Sequence, residues 1–228
     1  MNMKSRDFPK LWRSLEAILK AAPSTDIVFN QYRDQNYQVD LPNAAAIRAG
    51  NLRNYLAGAI DASVLAVGEA AGPWECRFSG VPFTGERQLL DPGFPLRGKR
   101  SSRNIPTRPI RVAPPFISRS AEIFWSVMLP YRRCFLVWNA FPLQPHQPHD
   151  FLTVRNPKAR EVAQFGEALR LIAEYLQPSR IVAVGRKAFA ALTAVGGDPV
   201  YVRHPSQGGK SEFTTGMKNL FQENAIKC

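Results

Sequence analysis

Apolar residues recur at helical spacing near the start of the chain, at Phe8, Leu11, Trp12, Leu15, Ile18 and Leu19, and a second amphipathic run extends from Ala44 to Leu56. Residues 1–60 therefore read as a mainly helical packing part. Four short apolar runs without that period come next: Val64 to Val67, Phe135 to Trp138, Ile181 to Val184 and Val200 to Val202. Each is cut off at once by polar or glycine residues and reads as a buried parallel strand. Between the second and third, Pro157 to Leu176 predicts one long helix, with Val162, Phe165, Leu169, Ile172 and Leu176 on its inner face and proline in its first turn. A further helix is predicted over Lys187 to Val195, stopped by Gly196 and Gly197.

Strands alternating with helices predict an α/β fold with a doubly wound sheet, in which ligands bind beyond the carboxyl ends of the strands. Three of the four strand ends carry residues that chemistry can use: Gly68-Glu69-Ala70-Ala71-Gly72, Asn139-Ala140-Phe141-Pro142 and His204-Pro205-Ser206. Residues 92–120 break the alternation. They hold six prolines and the cations Arg97, Lys99, Arg100, Arg103, Arg108, Arg111 and Arg119 without a single acid, and read as a basic loop, not a second domain.

Charge narrows the partners. Thirty Lys and Arg against 18 Asp and Glu leave a net charge of +12, which favours a polyanion such as nucleic acid. The three cysteines, Cys76, Cys134 and Cys228, are widely spaced, form no Cys-x-x-Cys pair for zinc or an iron–sulfur cluster, and fit a reducing cytoplasm. No stretch approaches the ~20 apolar residues of a membrane span, and the N-terminus lacks the apolar core of a signal peptide. A soluble, cytoplasmic protein is expected.

The first strand end continues into Cys76-Arg77-Phe78-Ser79-Gly80-Val81-Pro82-Phe83-Thr84-Gly85-Glu86, and the whole run from Gly68 resembles the first motif of the uracil-DNA glycosylase superfamily. His204-Pro205-Ser206 resembles its second motif, and Val137-Trp138-Asn139-Ala140-Phe141-Pro142 resembles the strand whose Asn reads a flipped base. The three stand in family order between residues 64 and 210. The resemblance implies one domain over 1–228, a three-layer α/β/α architecture around a mostly parallel four-stranded sheet, and a monomeric hydrolase that excises a base from DNA without a cofactor.

Under that resemblance Glu69 orients or deprotonates water and faces the sugar cation of an oxocarbenium-like transition state, while His204 bonds the base oxygen where negative charge develops. Asn139 pairs with the edge of a pyrimidine through its amide donor and acceptor. Phe83 is the aromatic platform for the base, and Gly68 and Ala70 line the base site. Beyond His204, the segment Ser206-Gln207-Gly208-Gly209-Lys210 resembles the loop that relatives push into the minor groove, with Gln207 filling the vacated base position and Lys210 on a phosphate. Arg100, Arg103 and Arg108 are expected to add phosphate contacts.

Each residue has a plainer reading beside this one. Glu69 suits a helix N-terminus, His204 a structural histidine, Asn139 a strand-end turn and Phe83 the core. His146 and His149, in a Pro-rich stretch, could help hold the pocket or touch DNA. Two departures from the family pattern bear on the substrate: Ala71 stands where many relatives have Pro, and Pro73-Trp74 with the basic loop differ enough to admit a base other than uracil. Trp74 could equally be a hydrophobic anchor. The four cysteines that bind an iron–sulfur cluster in one branch are absent, so no cluster and no metal are expected. Uracil or a modified pyrimidine is the expected base, with altered bases of phage DNA as an antiviral alternative. A catalytically silent nucleic-acid-binding module is the rival of another class, against which the retained Glu69, Asn139 and His204 argue. A nucleotide-handling enzyme is disfavoured, because Gly68 to Gly72 fits neither G-x-G-x-x-G nor the P-loop.

Overall fold

The computed structural model describes residues 7–104 and 113–223. α1 (Phe8–Ala21) is capped by Asp7, whose carboxylate accepts from the Lys10 N–H at 2.9 Å, and it buries Leu11, Trp12, Leu15 and Leu19 as the spacing predicts. There follow β1 (Val28–Phe29), α2 (Ala44–Gly58), β2 (Val64–Ala70), the short α3 (Cys76–Ser79) and α4 (Glu86–Leu90), α5 (Arg119–Met128), β3 (Phe135–Phe141) and β4 (Gln144–Pro145). The chain continues with α6 (Ala159–Ala163), α7 (Gly166–Leu176), β5 (Arg180–Val184), α8 (Arg186–Ala194), β6 (Val200–Val202) and α9 (Lys210–Glu223).

The four predicted runs form one parallel sheet in the order β3-β2-β5-β6, with Ala66 of β2 opposite Val137 of β3 and Val182 of β5. α6 and α7 pack on β3 and α8 on β2, β3 and β5, whereas α5 packs with α9. β2 lies at the centre and its apolar half is wholly buried. β3 is an edge strand, yet all seven of its residues are buried, because α2 covers it: the Val137 N–H donates to the Tyr55 hydroxyl at 2.6 Å.

The structure departs from the sequence reading in several places. β2 and β3 run on to Ala70 and Phe141, so Glu69 and Asn139 lie on strands, not just past them. Residues 1–60 also hold a strand, β1, which pairs antiparallel with β4. The long helix is two: Phe165 leaves helical geometry and turns its ring edge-on to Phe141 at 5.4 Å, so the chain breaks before α7. Pro157 precedes this pair of helices instead of entering the first turn, and Lys158 caps α6 while Glu161 takes its N–H.

α2 is not a simple amphipathic helix, since Arg48 and Asn51 are buried alongside Leu52 and Tyr55. Asp40 explains Arg48. It binds Arg77 Nη1 at 2.6 Å and Nη2 at 3.2 Å and Arg48 Nη1 at 3.2 Å, with all three side chains fully buried. The Phe29 ring lies 4.2 Å from the Arg77 guanidinium and 5.6 Å from that of Arg48. Burial pushes both guanidiniums below their ordinary value, Arg48 to about 10. Losing one member would leave a buried charge uncompensated, at a cost of about 3–5 kcal/mol. The cluster fixes the turn after α3, where Gly80 has φ 79° and a Cβ would come within 2.3 Å of the Arg48 carbonyl oxygen.

The segment after residue 92 is only partly a loop. Ser101 and Ser102 are buried, their N–H groups donating to Glu86 Oε1 at 2.6 and 3.0 Å, and Arg119 belongs to α5. Arg108 and Arg111 lie outside the described residues.

Candidate active site

The carboxyl ends of β2 and β3 bring Gly68 and Asn139 side by side in register. A Cβ on Gly68 would lie 2.4 Å from Phe83 Cε2 and 2.8 Å from Asn139 Oδ1, so only glycine lets the three meet. Asn139 is 2% exposed and its Nδ2 has no hydrogen-bond partner. A buried donor left unpaired costs about 1–3 kcal/mol, which packing elsewhere has to offset.

Phe83 is a core residue that packs beside His204. It stacks on Phe124 at 4.6 Å and 20°, and its ring centre is 5.3 Å from that of His204. Its φ of 51° is unusual for a bulky side chain, a strain of about 1–3 kcal/mol that the surrounding packing holds in place.

His204 is fixed in one tautomer. Its Nδ1 accepts from the Ser206 backbone N–H at 3.1 Å and lies 2.7 Å from the Ser206 hydroxyl, so the ring proton belongs on Nε2. Burial, with Arg203 next to it, lowers the imidazole to about 4. A neutral ring with an Nε2–H donor is what a developing base oxyanion needs.

Glu69 reaches the N-terminus of α8, where its Oε1 accepts from the Lys187 N–H at 3.2 Å. This carboxylate thus sits at a helix N-terminus, where negative charge is favoured. Glu69, Ala70, Ala71, Gly72 and His204 line a cleft of about 820 Å³. Arg119, Arg155, Arg186, Lys187 and Arg203 line it too, so the cleft is rimmed with cations around two carboxyls, Glu69 and Glu75. Arg155 is paired with Glu161 at 2.8 Å and Arg203 lies 3.8 Å from Glu212.

The loop beyond His204 divides into two roles. Ser206 and Gln207 line the cleft, Gln207 and Gly208 are exposed with φ of 50° and 80°, and Lys210 opens α9. Gly209 instead is buried beneath the loop, where a Cβ would meet the His204 carbonyl oxygen at 2.1 Å. Arg100 and Arg103 are exposed but do not line the cleft; Arg103 packs back on residues 38 and 39, its N–H donating to the Val39 carbonyl at 2.8 Å. His146 is 6% exposed and its Nδ1 bonds the Gln147 carbonyl at 2.9 Å; neither it nor His149 lines the cleft. Trp74 does line it, and it also anchors edge-on against Phe116 at 5.5 Å.

Sequence reasoning missed Glu75, Ser118, Arg155, Arg186 and Lys187 as cleft residues. Ser118 carried one legible signal, a serine followed by Arg-Ser-Ala-Glu, which is a helix start; it caps α5. The others stand at positions that only the crossover geometry gathers. Among the described residues, no group of three or more His, Cys, Asp or Glu side chains is placed to hold a metal ion, and no helix is long and apolar enough to cross a membrane.

The parallel sheet thus carries Asn139 on β3 and His204 just past β6, with Phe83 packed on His204 and a cationic cleft lined by His204. The family model of the uracil DNA glycosylase superfamily matches residues 57–223. The chain belongs to that superfamily. The fold is also that of the crystal structure of wild-type Pedobacter heparinus SMUG2, with a TM-score of 0.58 at 13% identity over 95% of this chain and 99% of the other. No curated protein matches the sequence.

Proposed function

We propose that this protein is a monofunctional DNA glycosylase that flips a pyrimidine, uracil or a modified form of it, out of DNA and hydrolyses its N-glycosidic bond. The observation that carries the reading is the buried, unpaired Nδ2 of Asn139, whose Oδ1 meets Gly68 where Gly68 also meets Phe83, the ring that packs on His204. A pyrimidine edge offers the acceptor that this donor lacks.

In this scheme the base lies against Phe83 with its polar edge on Asn139. As the C1′–N bond lengthens, negative charge grows on the base oxygen and positive charge on the sugar. The Nε2–H of His204 stabilises the first, and Glu69, held against the N-terminus of α8, faces the second and orients the water. Cations around the cleft hold the phosphates on either side of the extruded nucleotide.

The test is excision from oligonucleotides carrying uracil, hypoxanthine, xanthine, a thymine mismatch and bulky hydroxymethylcytosine derivatives, followed by alkali. A pyrimidine should be released, in the presence of chelator as in its absence, and the strand should break only after alkali. A borohydride-trapped protein–DNA adduct would overturn the monofunctional reading. Release of no base at all would overturn the glycosylase.

A further inference from the structure

Glu75 has no place in the scheme above, yet it stands in the same cleft as Glu69. Its residue is 6% exposed, its side chain is folded against Gly72, and a Cβ on Gly72 would fall 2.9 Å from Glu75 Cγ. One oxygen is taken: the Ser118 hydroxyl donates to Oε2 in a short bond. The Ser118 oxygen also accepts the Ala121 N–H at the start of α5, at 3.4 Å. Oε1 takes no hydrogen bond among the described residues. With the Ser118 hydroxyl donating to Oε2, the proton of a neutral carboxyl sits on Oε1, the oxygen left for the cleft.

The two carboxyls of this cleft have opposite surroundings. Glu69 meets a helix N-terminus, where negative charge is favoured. Burial raises the Glu75 carboxyl above its ordinary value, and the Ser118 bond opposes this only in part. Arg119, Arg155, Lys187, Arg203 and His204 share the cleft, and the Cys76 thiol, itself pushed up to about 12 by burial, lies near the Glu75 carboxyl. Two carboxyls with such different surroundings in one cleft can divide into a base and an acid.

We propose that Glu75 is a general acid that gives its Oε1 proton to an acceptor atom of the departing base, extending the substrates to bases that leave poorly as anions, purines among them. The inference rests on the glycosylase reading. The step balances: the C1′–N bond breaks with its electron pair going to the base, and the base takes the Glu75 proton. Water oxygen bonds C1′, its proton passes to Glu69, and both carboxyls then re-equilibrate with solvent. Uracil needs this acid least, since its anion is already stabilised by the Nε2–H of His204.

Single-turnover excision of uracil and of hypoxanthine from the same duplex, between pH 5 and 9, tests it. The wild-type protein should release both, with the hypoxanthine rate falling as pH rises and Glu75 ionises. Glu75→Gln, which keeps shape and the bond from Ser118, should lower the hypoxanthine-to-uracil ratio about 100-fold and abolish that fall. Should this variant not fold, the wild-type ratio still has to drop with rising pH. Uracil release without hypoxanthine release, or a ratio indifferent to both pH and Glu75→Gln, would overturn the acid while leaving the glycosylase standing. Release of neither base would overturn the acid, and the glycosylase as well if no base of the wider panel is released.

Discussion

Gly185 lies so close to Glu69 that a Cβ on it would sit 2.5 Å from the carboxylate Oε1. Its φ of 100° also excludes L side chains, so two constraints meet at the residue that caps α8. Gly185→Ala should displace Glu69 from the Lys187 N–H and reduce single-turnover excision although residue 185 carries no reacting group. Glu69→Gln, which keeps the shape and loses the charge, should cost about 100-fold or more, roughly 3 kcal/mol of transition-state stabilisation. Wild-type rates for both variants would remove Glu69 from the chemistry.

Ser206 offers His204 two donors, and the variants separate them. Ser206→Ala removes the hydroxyl and leaves the backbone N–H on Nδ1, so the tautomer survives and excision should fall by about 10-fold at most, one neutral hydrogen bond. His204→Ala should cost about 100-fold or more. Equal losses in single-turnover assays would show that the backbone donor alone does not hold the ring.

The lowered value of His204 makes a stability prediction. The folded ring titrates near 4 and an unfolded one near 6.5, so the neutral ring contributes stability fully above pH 6.5. That contribution is lost as pH falls from 6.5 through 4, by about 3 kcal/mol in all. Denaturant unfolding of wild type and His204→Gln should show the wild type losing more stability across this window. Parallel curves would mean that the ring charges freely in the folded protein.

Cations split between the cleft and a second surface, and salt dependence distinguishes them. Arg119, Arg186 and Arg203 line the cleft, whereas Arg100 and Arg103 lie outside it. Replacing the first three with Ala should weaken binding to all sequences and flatten the log–log salt slope by about 0.9 for each phosphate no longer neutralised. Replacing Arg100 and Arg103 should have a smaller effect. A larger effect of that pair would route the duplex over residues 38–41 and 97–103.

What the chain alone determined is whatever depends on local order. Four apolar runs gave four strands in place, because a buried parallel strand needs little beyond continuous hydrophobicity and a polar stop. Glu69, Asn139 and His204 were legible because each ends or follows one of those strands, and strand ends are where an open α/β sheet puts its ligands. Tertiary structure alone decided what depends on contacts between distant segments. Phe165 breaks a helix that its own spacing favours, and its ring packs edge-on against Phe141. Nothing in the sequence marks Arg48 for burial; Asp40, 8 residues before it, and Arg77, 29 residues after it, close around it only in the fold. Glu75 reads as one more loop acid, and becomes a buried carboxyl only when Ser118, 43 residues on, arrives at the head of α5. Desolvation is a property of the assembled surroundings, and no spacing along the chain records it.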